Sequence, residues 1–263
     1  MGAIPKNQII AITHAPSPYM DRCELTYVAR SSIDHKVAVR QHREYCAILE
    51  RCGAEVHVLD VNLEHPDCVF IEDTSIVLDE VAILTSMGTP SRRSEPPGIE
   101  PALKNFRQVE KITLPAAIEG GDIARVGRTL LAGLSSRTNS AGISALQDLV
   151  RKYGYEVRAV PIRDCLHLKS ACTALPDGRL LVNPNWLETA ALEAFQYLPI
   201  PSEEPWAADI LSIGHTVCMA ANHPRTADLV NKQGFPVEVI DLSEFAKAEG
   251  GVTCLSLVFD RNR

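Results

Sequence analysis

Apolar positions recur along the chain in short blocks that switch between two periods. The run Ile9 to Thr13 is brief and continuous, as a buried strand would be, whereas Asp34 to Cys52 repeats apolar residues at helical spacing. Gly53 stands where that helix must stop, and Glu55 to Leu59 predicts the next strand. Beyond the turn at Pro66, two β-rich runs, Cys68 to Val77 and Val81 to Ser86, predict a hairpin around Asp79-Glu80. The Pro-, Gly- and Ser-rich stretch Gly88 to Gly98 predicts a mobile surface loop, followed by a short helix near Glu100 to Phe106.

The same cycle then returns: strand Val109 to Leu114, hairpin Asp122 to Ala132, helix Ser140 to Tyr153 capped near Asn139, strand Glu156 to Pro161. Leu166 to Ala174 and Arg179 to Asn183 predict another hairpin, with a helix near Leu187 to Phe195. Ile213 to Ala220, a helix Arg225 to Lys232 and the strand Pro236 to Ile240 follow. Val252 to Phe259 is a last strand, able to pair with the first and close the molecule. Five hairpin, helix and strand units of roughly 50 residues each predict a repeated, propeller-like α/β architecture in one domain spanning residues 1–263. An ordinary doubly wound α/β sheet is the alternative that the pattern leaves open.

Composition narrows the function classes. With 263 residues, 46% hydrophobic and 22% charged, the chain has material for a substantial core. No apolar run reaches the roughly 20 residues that a spanning helix needs. The start MGAIPKNQII has neither a signal-peptide core nor an arginine excess, and Lys6 occupies the position where a myristoylation motif after Gly2 needs Ser or Thr. A cytoplasmic setting without membrane attachment is expected. Basic residues number 26 against 33 acidic ones, net charge −7, with no Lys/Arg cluster longer than Arg92-Arg93, so nucleic acid is not an expected partner. Eight scattered cysteines form no CxxC or zinc-finger spacing, which points to reduced thiols rather than a zinc site.

No nucleotide-binding, zinc-protease or serine-hydrolase signature is present. Four polar clusters at the ends of apolar strands remain. In PDCVFIED, Asp67, Glu72 and Asp73 suit a cation, although adjacent Glu72 and Asp73 would point to opposite faces of an extended segment, so that at most one shares a given pocket. In EGGD, the diglycine after Glu119 lets backbone approach a ligand closely. In LHLKS, His167 and Lys169 fall on one side of a strand. In GGVTCLS, the diglycine would allow Cys254 an exposed, electropositive setting that lowers its pKa. Each has a plain structural alternative: a solvated strand end, a hairpin turn, a core histidine, a buried thiol. Together they supply a thiolate, a proton shuttle and an orienting acid, the ingredients of nucleophilic catalysis.

At these residues the sequence resembles the dimethylarginine dimethylaminohydrolase family, a branch of the guanidine-modifying superfamily that also holds arginine deiminases and amidinotransferases. PDCVFIED, the SRR of Ser91 to Arg93, EGGD, GLSSRTN from Gly133 to Asn139, HLKS and GGVTCLS follow the family's order over most of the chain. The resemblance implies a single-domain, five-bladed α/β propeller of ββαβ modules with a central site. It implies Cys254 as nucleophile, His167 as general acid and base, and Glu119 orienting both His167 and the guanidinium. Asp73 would fix the guanidinium nitrogens, with Glu72 beside it, and Asp67 would meet the α-amino group. Arg93 and Arg137 would pair with the substrate carboxylate. A small cationic guanidino amino acid is the implied partner, no metal or organic cofactor is required, and self-association into a homodimer stays open.

Lys169 resembles the dimethylargininase branch, since deiminases and amidinotransferases generally carry aspartate there; a methylated arginine is therefore the expected substrate. Two departures bear on specificity. Glu249 replaces the aspartate that often precedes the diglycine, one methylene longer near the guanidinium pocket, and Tyr19 to Thr26, expected to form a lid, is unlike the lids of the best-known relatives. An arginine deiminase, an amidinotransferase and a silent module that sequesters arginine-like cations are the rival readings.

Overall fold

A computed structural model describes residues 8–261; Gly2 and Lys6 lie outside them. The chain opens with β1 (Ile9–His14), helix α1 (His35–Arg51) and β2 (Ala54–Leu59). The Asp34 side chain accepts from Lys36 N (2.9 Å) and Val37 N (3.2 Å), satisfying amides that a helix start leaves free, and Gly53 at φ +91° ends the helix as its position predicts. The second unit is β3 (Ser75–Val77), β4 (Val81–Leu84), α2 (Glu95–Leu103) and β5 (Gln108–Lys111). The third is β6 (Ile123–Val126), β7 (Thr129–Leu134), α3 (Ser140–Val150) and β8 (Glu156–Pro161), with Asn139 capping α3 through Gly142 N at 2.8 Å. The fourth runs α4 (Leu168–Ala171), β9 (Cys172–Ala174), β10 (Leu180–Val182) and β11 (Tyr197–Pro199). The fifth has β12 (Ile210–Ile213), β13 (Thr216–Ala220), α5 (Pro224–Lys232) and β14 (Val237–Ile240), after which α6 (Ser243–Ala246) leads to β15 (Ser256–Asp260).

These strands form five three-stranded sheets of one pattern, an antiparallel hairpin followed by a parallel third strand. β15 completes the sheet of β1 and β2, with Ile9 opposite Asp260 and Thr13 opposite Ser256. The C-terminus thereby pairs with the N-terminal strand, as the last apolar segment predicts. The molecule is a five-bladed α/β propeller. Its core lies between neighbouring blades: Ile10, Ile12, Ile71, Leu84 and Leu257 pack in one cluster, for example, and Ala124, Leu131 and Leu180 in another. Burying each large aliphatic chain there contributes about 1.5–3 kcal/mol.

Several local expectations are corrected. Gly88 to Gly98 is no mobile loop: it holds a 3-10 turn at Pro90–Arg92 and the start of α2, and Arg92 is buried. Pro96 and Pro97 sit in the first helical turn, where a missing N–H costs nothing, so α2 begins five residues earlier than predicted. The helix expected at Leu187 to Phe195 is only a 3-10 turn, Thr189–Leu192. The apolar runs holding Asp73 and Cys254 begin as 3-10 turns, Ile71–Thr74 and Thr253–Leu255, before becoming strand. His167 and Lys169 do not share a strand face, because Leu168 opens a one-turn helix.

Candidate active site

Each blade's first hairpin strand faces the propeller axis, and the turn just before it reaches the same end of that axis. The turns at Ile71–Thr74, Gly120–Asp122 and Thr253–Leu255 pack together there, with the N-terminus of α4 against the second. They deliver Asp73, Glu119, His167 and Cys254. Below them, a cavity of about 520 Å³ runs between the blades, bordered by Glu72, Ser75, Lys169, Thr253 and Leu257.

His167 is the centre of a buried cluster. Its Nε2 lies 2.7 Å from Glu119 Oε2 and its Nδ1 3.7 Å from Asp73 Oδ1. Asp122 holds the backbone that follows His167: its Oδ1 accepts from Leu168 N at 2.9 Å while Oδ2 accepts from Ser135 Oγ at 2.7 Å. Burial works against a charged imidazole, but the charge of Asp73, the hydrogen bond to Glu119 and the charge of Asp122 outweigh it and push the pKa up to about 9. For Asp73, burial is likewise overcome, by His167 and Arg92, and its carboxyl sits below the usual range. Asp73, Glu119 and His167 offer ligand atoms within 4.8 Å of one another, close enough to share a cation. The diglycine of EGGD permits this approach, since a Cβ on Gly121 would lie 2.7 Å from Asp73 Oδ1 and 2.8 Å from His167 Nδ1.

Arg92, not singled out from the sequence, binds Asp73 Oδ2 at 2.6 Å and Glu95 Oε2 at 2.8 Å, all three buried. Arg93 is exposed and donates to Met87 O (3.3 Å) and Gly88 O (3.4 Å). Arg137 is buried, 3.6 Å from Glu119 Oε2, and its backbone packs on Gly88, where a Cβ would lie 2.5 Å from Arg137 O. The two arginines expected to meet a carboxylate therefore flank Gly88, whose own N–H donates to Glu119 Oε1 at 2.9 Å. Asp67 is buried and accepts from Glu24 N at 3.2 Å; burial pushes its pKa up to about 6.

Glu72 and Asp73 lie in a 3-10 turn rather than an extended segment, yet they go to different partners, Asp73 to Arg92 and Gly121 N. Both charges bear on Cys254. Glu72 Oε1 accepts from Lys169 Nζ (2.6 Å) and Thr253 Oγ1 (2.7 Å), and burial raises its pKa to about 7. Glu249 is turned to the polypeptide at 26–28: it accepts from Thr26 N (2.9 Å), Val28 N (2.6 Å) and Tyr27 N. The residue itself has φ +60°.

The expected electropositive setting of Cys254 is overturned. Burial, followed by the charges of Asp209, Glu72 and Asp73, pushes the thiol well above its ordinary value. Sγ has a backbone donor, Gly251 N at 3.4 Å, and a side-chain neighbour, Asp209 Oδ2 at 3.8 Å. Tyr45 Oη anchors this turn through Val252 O (3.0 Å) and Ser256 Oγ (2.7 Å). Asp209, Asp122 and Arg92 escaped sequence reasoning. Asp122 stood within EGGD and Arg92 within SRR, so their motifs marked both; nothing local marks Asp209.

A five-bladed α/β propeller whose axial turns gather a cysteine, a histidine and carboxylates is the architecture of the guanidine-modifying superfamily. The family model for eukaryotic N,N dimethylarginine dimethylhydrolase matches residues 24–171. The N(G),N(G)-dimethylarginine dimethylaminohydrolase of Streptomyces coelicolor is 38% identical over 94% of this chain and 95% of its own. A structure of the Pseudomonas aeruginosa dimethylarginine dimethylaminohydrolase, a cysteine-to-serine mutant complexed with citrulline, superposes with TM-score 0.89 at 31% identity, covering 96% of this chain and all of the other. A second structure, a histidine-to-glycine variant as an adduct with S-methyl-L-thiocitrulline, also reaches 0.89, over 95% of this chain and 98% of that one, at 31% identity. This chain belongs to the dimethylarginine dimethylaminohydrolase family.

Proposed function

We propose that the chain hydrolyses the guanidino C–N bond of an N-ω-methylated arginine, turning dimethylarginine into citrulline and dimethylamine through a covalent intermediate on Cys254. The observation that carries this reading is the buried Asp73–His167–Glu119 cluster, packed beside the turn that bears Cys254 in a chain of this family. A cytoplasmic setting belongs to the same proposal.

A guanidinium is delocalised and a poor electrophile unless carboxylates hold it rigidly against a nucleophile. Asp73 would hold its nitrogens, and Asp67 the α-amino group. Arg93 and Arg137 would grip the α-carboxylate from the two sides of Gly88. Glu249 would keep residues 26–28 over the substrate, and Glu72, tied to Lys169 and Thr253, would brace the nucleophile turn. The cation is also what the thiol lacks: three carboxylates oppose ionisation of Cys254, and a bound positive charge offsets them.

The Cys254 thiolate forms a bond to the guanidinium carbon, giving a tetrahedral centre. His167, protonated at neutral pH, transfers its proton to the departing dimethylamine as the C–N bond breaks, leaving an S-alkylthiouronium. The neutral ring then takes a proton from water. The resulting hydroxide attacks the same carbon, the C–S bond breaks with its electron pair going to sulfur, and the hydroxyl proton passes to dimethylamine or water, giving citrulline and thiolate. No step requires a metal.

The test is a side-by-side assay of dimethylarginine and arginine for citrulline, dimethylamine and ammonia. Citrulline with dimethylamine is expected. Faster ammonia release from arginine would make the protein a deiminase, and amine-dependent transfer an amidinotransferase. Cys254→Ser should lose about 10⁴-fold or more in turnover while still binding substrate by calorimetry; full activity in that variant would refute the assignment.

A further inference from the structure

Four blades each place a chemically distinctive side chain in the turn ahead of the axial strand: Asp73 before β3, Glu119 before β6, His167 before β9, Cys254 before β15. The remaining blade does the same with Asp209, immediately before β12. The carboxylate is seated by the surrounding backbone. Its Oδ1 accepts from Thr253 N at 3.0 Å, and Gly251 lies so close that a Cβ there would fall 2.2 Å from Asp209 Cγ. Its Oδ2 is left facing Cys254 Sγ. The other carboxylates of the cluster are taken: Glu72 by Lys169 and Thr253, Asp73 by Arg92, Glu119 by His167 and Gly88. Among the described residues, Asp209 is the one side chain within hydrogen-bonding distance of the thiol.

We propose that Asp209 is the proton acceptor of Cys254: when a guanidinium enters, the S–H bond breaks, the proton bonds to Oδ2, and the electron pair stays on sulfur as the attacking thiolate. The proton returns to sulfur after the C–S bond of the intermediate breaks. This rests on the functional reading above. Burial chiefly, against hydrogen bonds from Thr253 and Val252 N–H, pushes the pKa of Asp209 up to about 6, so it is ionised at neutral pH yet a better acceptor than a free carboxylate. With no cation bound, the proton stays on sulfur.

The experiment compares wild type with Asp209→Asn, which keeps the shape and the acceptor for Thr253 N–H. Two readouts should move in opposite directions. Without substrate, iodoacetamide should alkylate Cys254, followed by mass of its peptide, at lower pH in the variant, because one opposing charge is gone. With dimethylarginine, kcat/KM of the variant should fall about 100-fold near neutrality and recover about tenfold per pH unit, since its thiol proton must leave to solvent. Lys169, Glu72 and Asp73, the other charged groups facing this pair, are common to both proteins and cancel in the comparison.

A variant within about threefold of wild type overturns the proposal, as does a loss equal at every pH, the mark of a merely structural role. Without any variant, half-maximal alkylation of wild-type Cys254 below about pH 8 also overturns it, because such a thiol needs no acceptor. If wild type makes no citrulline, the functional reading fails separately, and the alkylation comparison alone decides whether Asp209 controls the thiol.

Discussion

Glu119→Gln isolates the electrostatic design of the site. The substitution keeps an oxygen 2.7 Å from His167 Nε2 but removes the charge from a fully buried position. Raising an imidazole from 6.5 to about 9 corresponds to about 3 kcal/mol in favour of the charged ring, after burial has been overcome. Two opposite charges at that separation attract by about 6 kcal/mol at an effective dielectric of 20. If only a third of this is lost while the neutral hydrogen bond persists, the ring loses about 2 kcal/mol and its pKa falls by roughly 1.5 units. The imidazole should then titrate near pH 7.5, so that above it most of the ring has lost the proton that the departing amine needs. NMR titration of the His167 ring in both proteins measures this directly, and the basic limb of kcat/KM should move with it. The sign for stability follows: a folded-state pKa above the unfolded one contributes stability that is complete below about pH 6.5 and lost as pH rises through about 9. Urea midpoints of wild type should fall across that window, and those of the variant should change less. A ring that still titrates near 9 in Glu119→Gln would refute the reasoning, leaving Asp73 and Asp122 as sufficient causes.

Neighbouring arginines should separate cleanly. Arg92→Ala strands two buried carboxylates and should cost about 3–5 kcal/mol by denaturant titration, whereas Arg93→Ala should leave stability nearly unchanged and raise KM. Gly120→Ala puts a Cβ 2.0 Å from the backbone oxygen of Glu72, so a loss of about 3 kcal/mol in the same assay is expected; an unchanged midpoint would mean that the turns are not packed as described. Lys169→Asp replaces the cation on Glu72 with a second carboxylate and should raise the kcat/KM ratio of arginine over dimethylarginine; an unaltered ratio would deprive Lys169 of any role in specificity. Glu249→Ala should speed hydrogen exchange at the amides of Thr26, Tyr27 and Val28 and raise KM, with little change in Tm.

What the amino-acid order determined by itself is the repeating succession of elements. Period-2 and period-3.6 stretches, the Asp34 and Asn139 caps and Gly53 follow from local backbone chemistry and burial, which neighbours in sequence dictate. The same local logic erred where an apolar run contains a turn. Ile71–Thr74 and Thr253–Leu255 carry strand-like residues, yet the chain must coil there to bring a polar group to the axis. Tertiary structure alone decided the electrostatics. Cys254 meets Asp209 across a sequence separation of 45, and Arg92 rather than Arg93 enters the core beside Asp73. Proton affinity sums desolvation and charge over neighbours in space, and five blades closing on one axis choose those neighbours.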